Sequence, residues 1–136
     1  FGRLSVSLYF EVRLQYLRAL MALGLQHSAE YEVQQLISLR EKYPDETAGQ
    51  QYMFALERAL LAAQFNHTFD QDILIEKFIA MWHSPGRRYF QYDSEHQYLL
   101  ARIRRQVQRL IKGEAQKALL QRLEALPRYQ LAYVRK

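Results

Sequence analysis

The chain carries four histidines, His27, His67, His83 and His96, separated by 40, 16 and 13 residues. A helical zinc site needs two imidazoles three or four residues apart, so that both reach one ion. No pair here meets that spacing. Asp93 and His96 lie three apart and would share a helix face, but helix-start capping accounts for them equally well. Asp70 and Asp72 lack the glycine and the closing glutamate of a calcium loop. None of the five glycines stands in a G-x-G or G-K-[ST] setting, so there is no phosphate cradle. With no cysteine, disulfides and thiolate metal sites are excluded and the compartment stays open. The sequence thus predicts no metal, no cofactor and no legible catalytic constellation. An acid–base pair assembled from dispersed carboxylates stays open as the enzyme alternative.

Two groups of residues have types and spacing suited to binding. Arg102, Arg105, Arg109 and Lys112 follow one another at steps of three, four and three, which on a helix makes one stripe, with Arg104 beside it. A guanidinium fork grips phosphate or carboxylate bidentately, so such a stripe suits a nucleic acid or an acidic peptide. It also suits a solvated face whose aliphatic stems cover the edge of the core. The second group lies in Trp82 to Tyr92, where Arg87, Arg88, Tyr89 and Tyr92 interleave charge with aromatic rings. That mixture stacks bases or holds a peptide; alternatively the rings plug the loop into the core. Ten tyrosines in the chain add to the interface-like composition. The candidate partner-binding residues are therefore Arg87, Arg88, Tyr89, Tyr92, Arg102, Arg105, Arg109 and Lys112.

The formal charge of +5 is unevenly spread. Residues 101–136 hold ten Lys/Arg against two acids, whereas the first 100 hold nine against twelve. A basic end on a mildly acidic body points to an anionic partner for that end. The acidic remainder would repel a long polyanion lying across the molecule.

A chain of 136 residues is about one domain and buries roughly two-thirds of its unfolded surface. Hydrophobic residues make up 49% and charged residues 24%, a globular balance. The longest apolar run, Ala19 to Leu25, is too short to span a bilayer. Because the chain begins with Phe1 rather than Met, it is expected to be a processed protein or a segment of a longer one.

The elements that must position these residues read as helices throughout. Val12, Tyr16, Ala19, Leu20 and Leu23 recur at helical steps, Leu4 to Phe10 opens the same helix, and Gly24 stops it. Ser28 is expected to cap a second helix, closed by Tyr43 and Pro44. Asp45 is expected to cap a third, with Tyr52, Leu56, Ala59, Leu60 and Ala63 on one face. Asn66 to Phe69 breaks the chain, and Asp70 caps a fourth helix through Ile73, Ile75, Phe78, Ile79 and Trp82. A long helix from Asp93 or Ser94 carries Leu99, Ile103, Val107, Leu110 and Ile111. Gly113 ends it, and a last helix runs from Glu114 to Leu126. Leu36, Ile37, Leu56, Leu60, Phe78, Ile79, Ile103, Val107 and Leu123 are the expected core. The fold class is all-α: about six helices in three αα-hairpins, in one domain, as a solenoid-like stack or a bundle.

Pro44, Pro85 and Pro127 stand 41 and 42 residues apart, each after the second helix of a pair. Seven residues before each lie Ile37, Phe78 and Leu120. The stretch Ala22-Leu23-Gly24, Ser28-Ala29-Glu30, Tyr43-Pro44-Asp45 resembles tetratricopeptide and related α-solenoid repeats. It is one helical turn shorter between Gly24 and Pro44 than a unit of about 34 residues. The resemblance implies a scaffold whose grooves receive a protein or peptide segment. A nucleic-acid-binding domain using the basic C-terminal helices is the second expectation, and an enzyme with a dispersed site the third.

Overall fold

The computed structural model describes residues 3–83 and 93–127. Among them 84% are helical and none lies in a strand, so the chain is all-α. Six α-helices are described: α1 (Arg3–Ala22), α2 (Gln26–Lys42), α3 (Gln51–Asn66), α4 (Phe78–Trp82), α5 (Asp93–Leu110) and α6 (Gly113–Glu124). A 3₁₀ turn, Ala48–Gln50, leads into α3, and a π-helical segment, Asp72–Lys77, leads into α4. The chain divides into two compact units, Phe1–Leu61 and Ala62–Lys136, with the division inside α3.

In the first unit, α1 and α2 form an antiparallel hairpin. Gly24 takes a left-handed φ of 74°, which lets Leu25 N donate to Leu20 O and Gly24 N to Met21 O, both at 3.0 Å. This paired closure satisfies the last carbonyls of α1 and returns the chain at once. Because the return is immediate, α2 starts at Gln26 with Leu25 at its cap position. Ser28, expected as the cap, instead lies exposed in the first turn. Asp45 does not cap α3 either. The chain wraps around the Tyr43 carbonyl, which accepts from the Thr47 hydroxyl at 2.8 Å and the Thr47 amide at 3.1 Å. That buries Thr47 and delays α3 to Gln51.

The core of this unit is Val6, Phe10, Leu14, Leu17, Leu20 and Met21 of α1 against Ala29, Val33 and Leu36 of α2 and Phe54, Leu56 and Leu60 of α3. Phe10 and Phe54 meet edge to face at 5.6 Å, a favoured aromatic geometry. Of the α1 positions singled out in the sequence, Leu20 alone is buried; Val12, Tyr16, Ala19 and Leu23 face solvent. Ile37 is half-buried rather than core.

In the second unit, His67 at φ 55° ends α3, and Asp70 caps the next helix by accepting from Ile73 N at 3.1 Å. Leu74, Ile75, Phe78 and Trp82 turn inward, while Ile79 is half-buried. Trp82 packs on Phe78 at 5.7 Å and on the His96 ring at 5.0 Å, and its Nε1 donates to Pro127 O at 2.7 Å. Leu99, Ile103 and Val107 of α5 face Leu119 and Leu123 of α6 in the same core. Gly113, at φ 66°, makes the turn between these two helices. Gln116 Nε2 then donates to the carbonyls of Ile111 and Gln108, at 2.9 and 3.1 Å, closing the end of α5. α6 ends at Glu124, two residues short of the expected Leu126.

Candidate interaction face

The helix that positions the candidate site is α1, which carries four charged residues, Arg3, Glu11, Arg13 and Arg18, among its twenty. At 3.6 residues per turn, its buried residues occupy one arc, while Ser5, Leu8, Tyr9, Val12, Tyr16, Ala19 and Leu23 share a second arc of about 100°. All seven are exposed: Leu8 by 62%, Val12 by 55%, Tyr16 by 50% and Leu23 by 71%. No charged residue stands in this arc. Glu11 is the one exposed acid of α1, and it lies to one side. Single exposed apolar residues are ordinary, whereas the strip from Leu8 to Leu23 is a larger exposed apolar surface than scattered side chains make.

Two ion pairs fix which arc faces outward. Arg13 donates from Nε to Glu32 Oε2 at 2.6 Å and from its terminal nitrogen to Glu32 Oε1, so the carboxylate of α2 is held bidentately. These bonds hold the Arg13 guanidinium above its already high ordinary pKa, against the opposing effect of burial. The same guanidinium lies 5.9 Å from the centre of the Tyr9 ring and 5.3 Å from that of Tyr16. It thereby props two aromatics of the exposed arc. Arg18 donates to Glu57 Oε2 of α3 at 2.6 Å, with both side chains buried. A shallow pocket of about 260 Å³ opens beside the arc, lined by Tyr9, Arg13, Glu32, Gln35, Ser38 and Lys42 among others.

The sequence-derived candidates fall elsewhere. Arg87, Arg88, Tyr89 and Tyr92 lie outside the described residues. Arg102, Arg105 and Arg109 do share one side of α5, with Lys112 just beyond its end, but their circumstances differ. Arg102 lies over the Tyr98 ring at 5.2 Å and is half-buried. Arg109 is engaged by its own unit: it donates to the Ala63 carbonyl at 3.4 Å and to Gln106, and meets His67 Nδ1 at 3.2 Å. Lys112 donates to the Gln108 carbonyl at 3.3 Å, and Arg105 is exposed. Arg104 pairs with Glu124 of α6 at 3.6 Å. The stripe is therefore partly structural, with Arg105 and Lys112 its most open members.

Sequence reasoning did not pick out Ser5, Leu8 and Tyr9. The signal for them was the absence of charge from their side of α1, since Arg3, Glu11, Arg13 and Arg18 all fall at other positions around the helix.

Among the described residues no group of three or more His, Asp or Glu is placed to hold a metal ion. None of their helices is long and apolar enough to cross a membrane. Compared with models of protein families, with curated proteins and with solved structures, the chain matches none.

Proposed function

We propose that this chain is a non-catalytic helical module that binds protein through the exposed arc of α1. The observation that carries the reading is the uncharged strip of Leu8, Tyr9, Val12, Tyr16, Ala19 and Leu23. Leaving this much apolar surface in water is unfavourable by about 25 cal/mol per Å², which favours covering it with a partner. The tetratricopeptide resemblance of the α1–α2 stretch accords with such a role. The reading moves the docking surface from the arginine stripe of α5 to α1, and an apolar helix or groove rather than an acidic peptide becomes the favoured partner.

Photo-crosslinking tests this. A benzophenone amino acid placed at Val12 or Leu23 in the cell should form covalent adducts with protein. The same group at Ala118, an exposed position on α6, should form none, and Tyr16→Glu should abolish the α1 adducts. Equal yields from all three positions, or none from α1, would overturn the proposal.

Binding of nucleic acid along α5 is the second reading. The exposure of Arg105 and Lys112 favours it, and the engagement of Arg109 within its own unit weakens it.

A further inference from the structure

We infer that the occupant of the α1 face is a second copy of this chain, packed antiparallel about a two-fold axis that crosses α1 at the level of Leu14. The inference rests on the interaction reading above and names the partner for the same face. In a two-fold interface each position meets the position equally far from the axis on the other copy. Around Leu14 the exposed arc falls into such pairs: Val12 with Tyr16, two residues to either side; Tyr9 with Ala19, five; and Ser5 with Leu23, nine.

In each pair the smaller side chain opposes the larger. Ala19 leaves room for the Tyr9 ring, Ser5 for Leu23, and Val12 sits against Tyr16. Facing positions that alternate large and small interdigitate without a void or a clash, as packed helices require. Leu8 alone has no counterpart and widens the strip at one end.

Charge and area agree with self-association. The chain carries a net +5, which disfavours contact between copies in general, but this arc brings no like charges together. Leu8, Tyr9, Val12, Tyr16 and Leu23 are each close to half exposed or more. At roughly 100 Å² apiece they offer on the order of 500 Å² per copy. Two copies would then bury about 1,000 Å², the low end of biological interfaces, where association is weak and reversible.

Sedimentation velocity of the full chain over a micromolar concentration series tests the pairing. The wild type should pass from monomer to dimer as concentration rises. Ala19→Tyr should weaken the dimer at least tenfold by setting two rings against each other. Tyr9→Ala combined with Ala19→Tyr should restore it, because large again meets small. Circular dichroism of each variant confirms that its helices persist. A wild type that stays monomeric throughout overturns the inference, as does a double variant no better than the single one. If that monomer still crosslinks from Val12 to a different protein, the homodimer falls and the interaction reading stands. If it crosslinks to nothing, both fall.

Discussion

The Arg18 guanidinium and the Glu57 carboxylate meet at 2.6 Å with both side chains buried, joining the C-terminal part of α1 to α3 inside the first unit. Removing one member of such a pair leaves the other charge stranded in a medium that solvates it poorly. Arg18→Met or Glu57→Leu alone should therefore cost about 3–5 kcal/mol of stability. The double substitution should regain most of that loss, because apolar side chains of similar volume pack where the charges were. Thermal unfolding of all four proteins gives the coupling energy. Additive losses would show that the two groups do not act as a pair.

Burial separates two isoleucines that look alike in the sequence. Ile103 is fully buried on α5, whereas Ile79 on α4 is partly exposed. Ile103→Ala should cost about 2–5 kcal/mol and Ile79→Ala under about 2 kcal/mol. The chain has a single tryptophan, Trp82, inside the same unit. Its emission during urea unfolding reads both variants, and equal losses would contradict the packing described.

Glu76 accepts two hydrogen bonds from Arg122, each 2.8 Å, joining the π-helical segment to α6. Those bonds hold the Glu76 carboxyl below the usual carboxylate range, outweighing a smaller upward pull from burial. A carboxyl with a lower pKa folded than unfolded stabilises the fold fully above its unfolded pKa. It loses that contribution as pH falls through the folded value. Glu76→Gln should therefore lower the urea midpoint at neutral pH, and the gap from wild type should close in acid. The effect should be small and salt-sensitive, since the pair is exposed. A gap that persists unchanged at low pH would rule this linkage out.

The arginine stripe is tested by salt. With Arg109 engaged in its own unit, few phosphates can be neutralised. Any binding to duplex DNA should show a log–log salt slope of magnitude no greater than about 3, at about 0.9 per phosphate. Gel shifts of the wild type and of Arg105→Glu/Lys112→Glu should look alike at physiological salt. A slope of about −6 or steeper that vanishes in the double variant would restore the nucleic-acid reading.

What was legible in the sequence, and what was not, follows from where the signals lie. Gly24, Pro44 and Gly113 mark helix ends by backbone geometry and Asp70 by its side-chain cap, and the structure ends or starts helices beside each of them. Leu99, Ile103 and Val107 point inward because the opposite side of α5 is charged. On α1 no such contrast exists, so the recurrence of Val12, Tyr16, Ala19 and Leu23 reports a helix without reporting its inner side. Ser28 and Asp45 have the right type for caps, but tight turns at Gly24 and Thr47 moved the helix starts away from them. The exposed face was hidden for the same reason as the core of α1. Both are apolar, and what separates them is the pairing of Arg13 and Arg18 with carboxylates 19 and 39 residues downstream.

That pairing has a bearing on how the face persists. Arg13 and Arg18 lie about 140° apart around α1, one at each border of its buried arc. Because apolar residues also line the outer strip, the hydrophobic contrast around this helix is weaker than on α5 as a guide to which side turns inward. The two guanidiniums reinforce that guide, because any roll strands Glu32 and Glu57 together. They act as a rotational key, trading core stability for one fixed orientation. Replacing the Arg18–Glu57 pair by well-packed apolar residues, which is often neutral or stabilising for a buried pair, would remove one half of that key. α1 would then be freer to turn its outer strip inward, and the apolar face it now presents would no longer be held toward solvent.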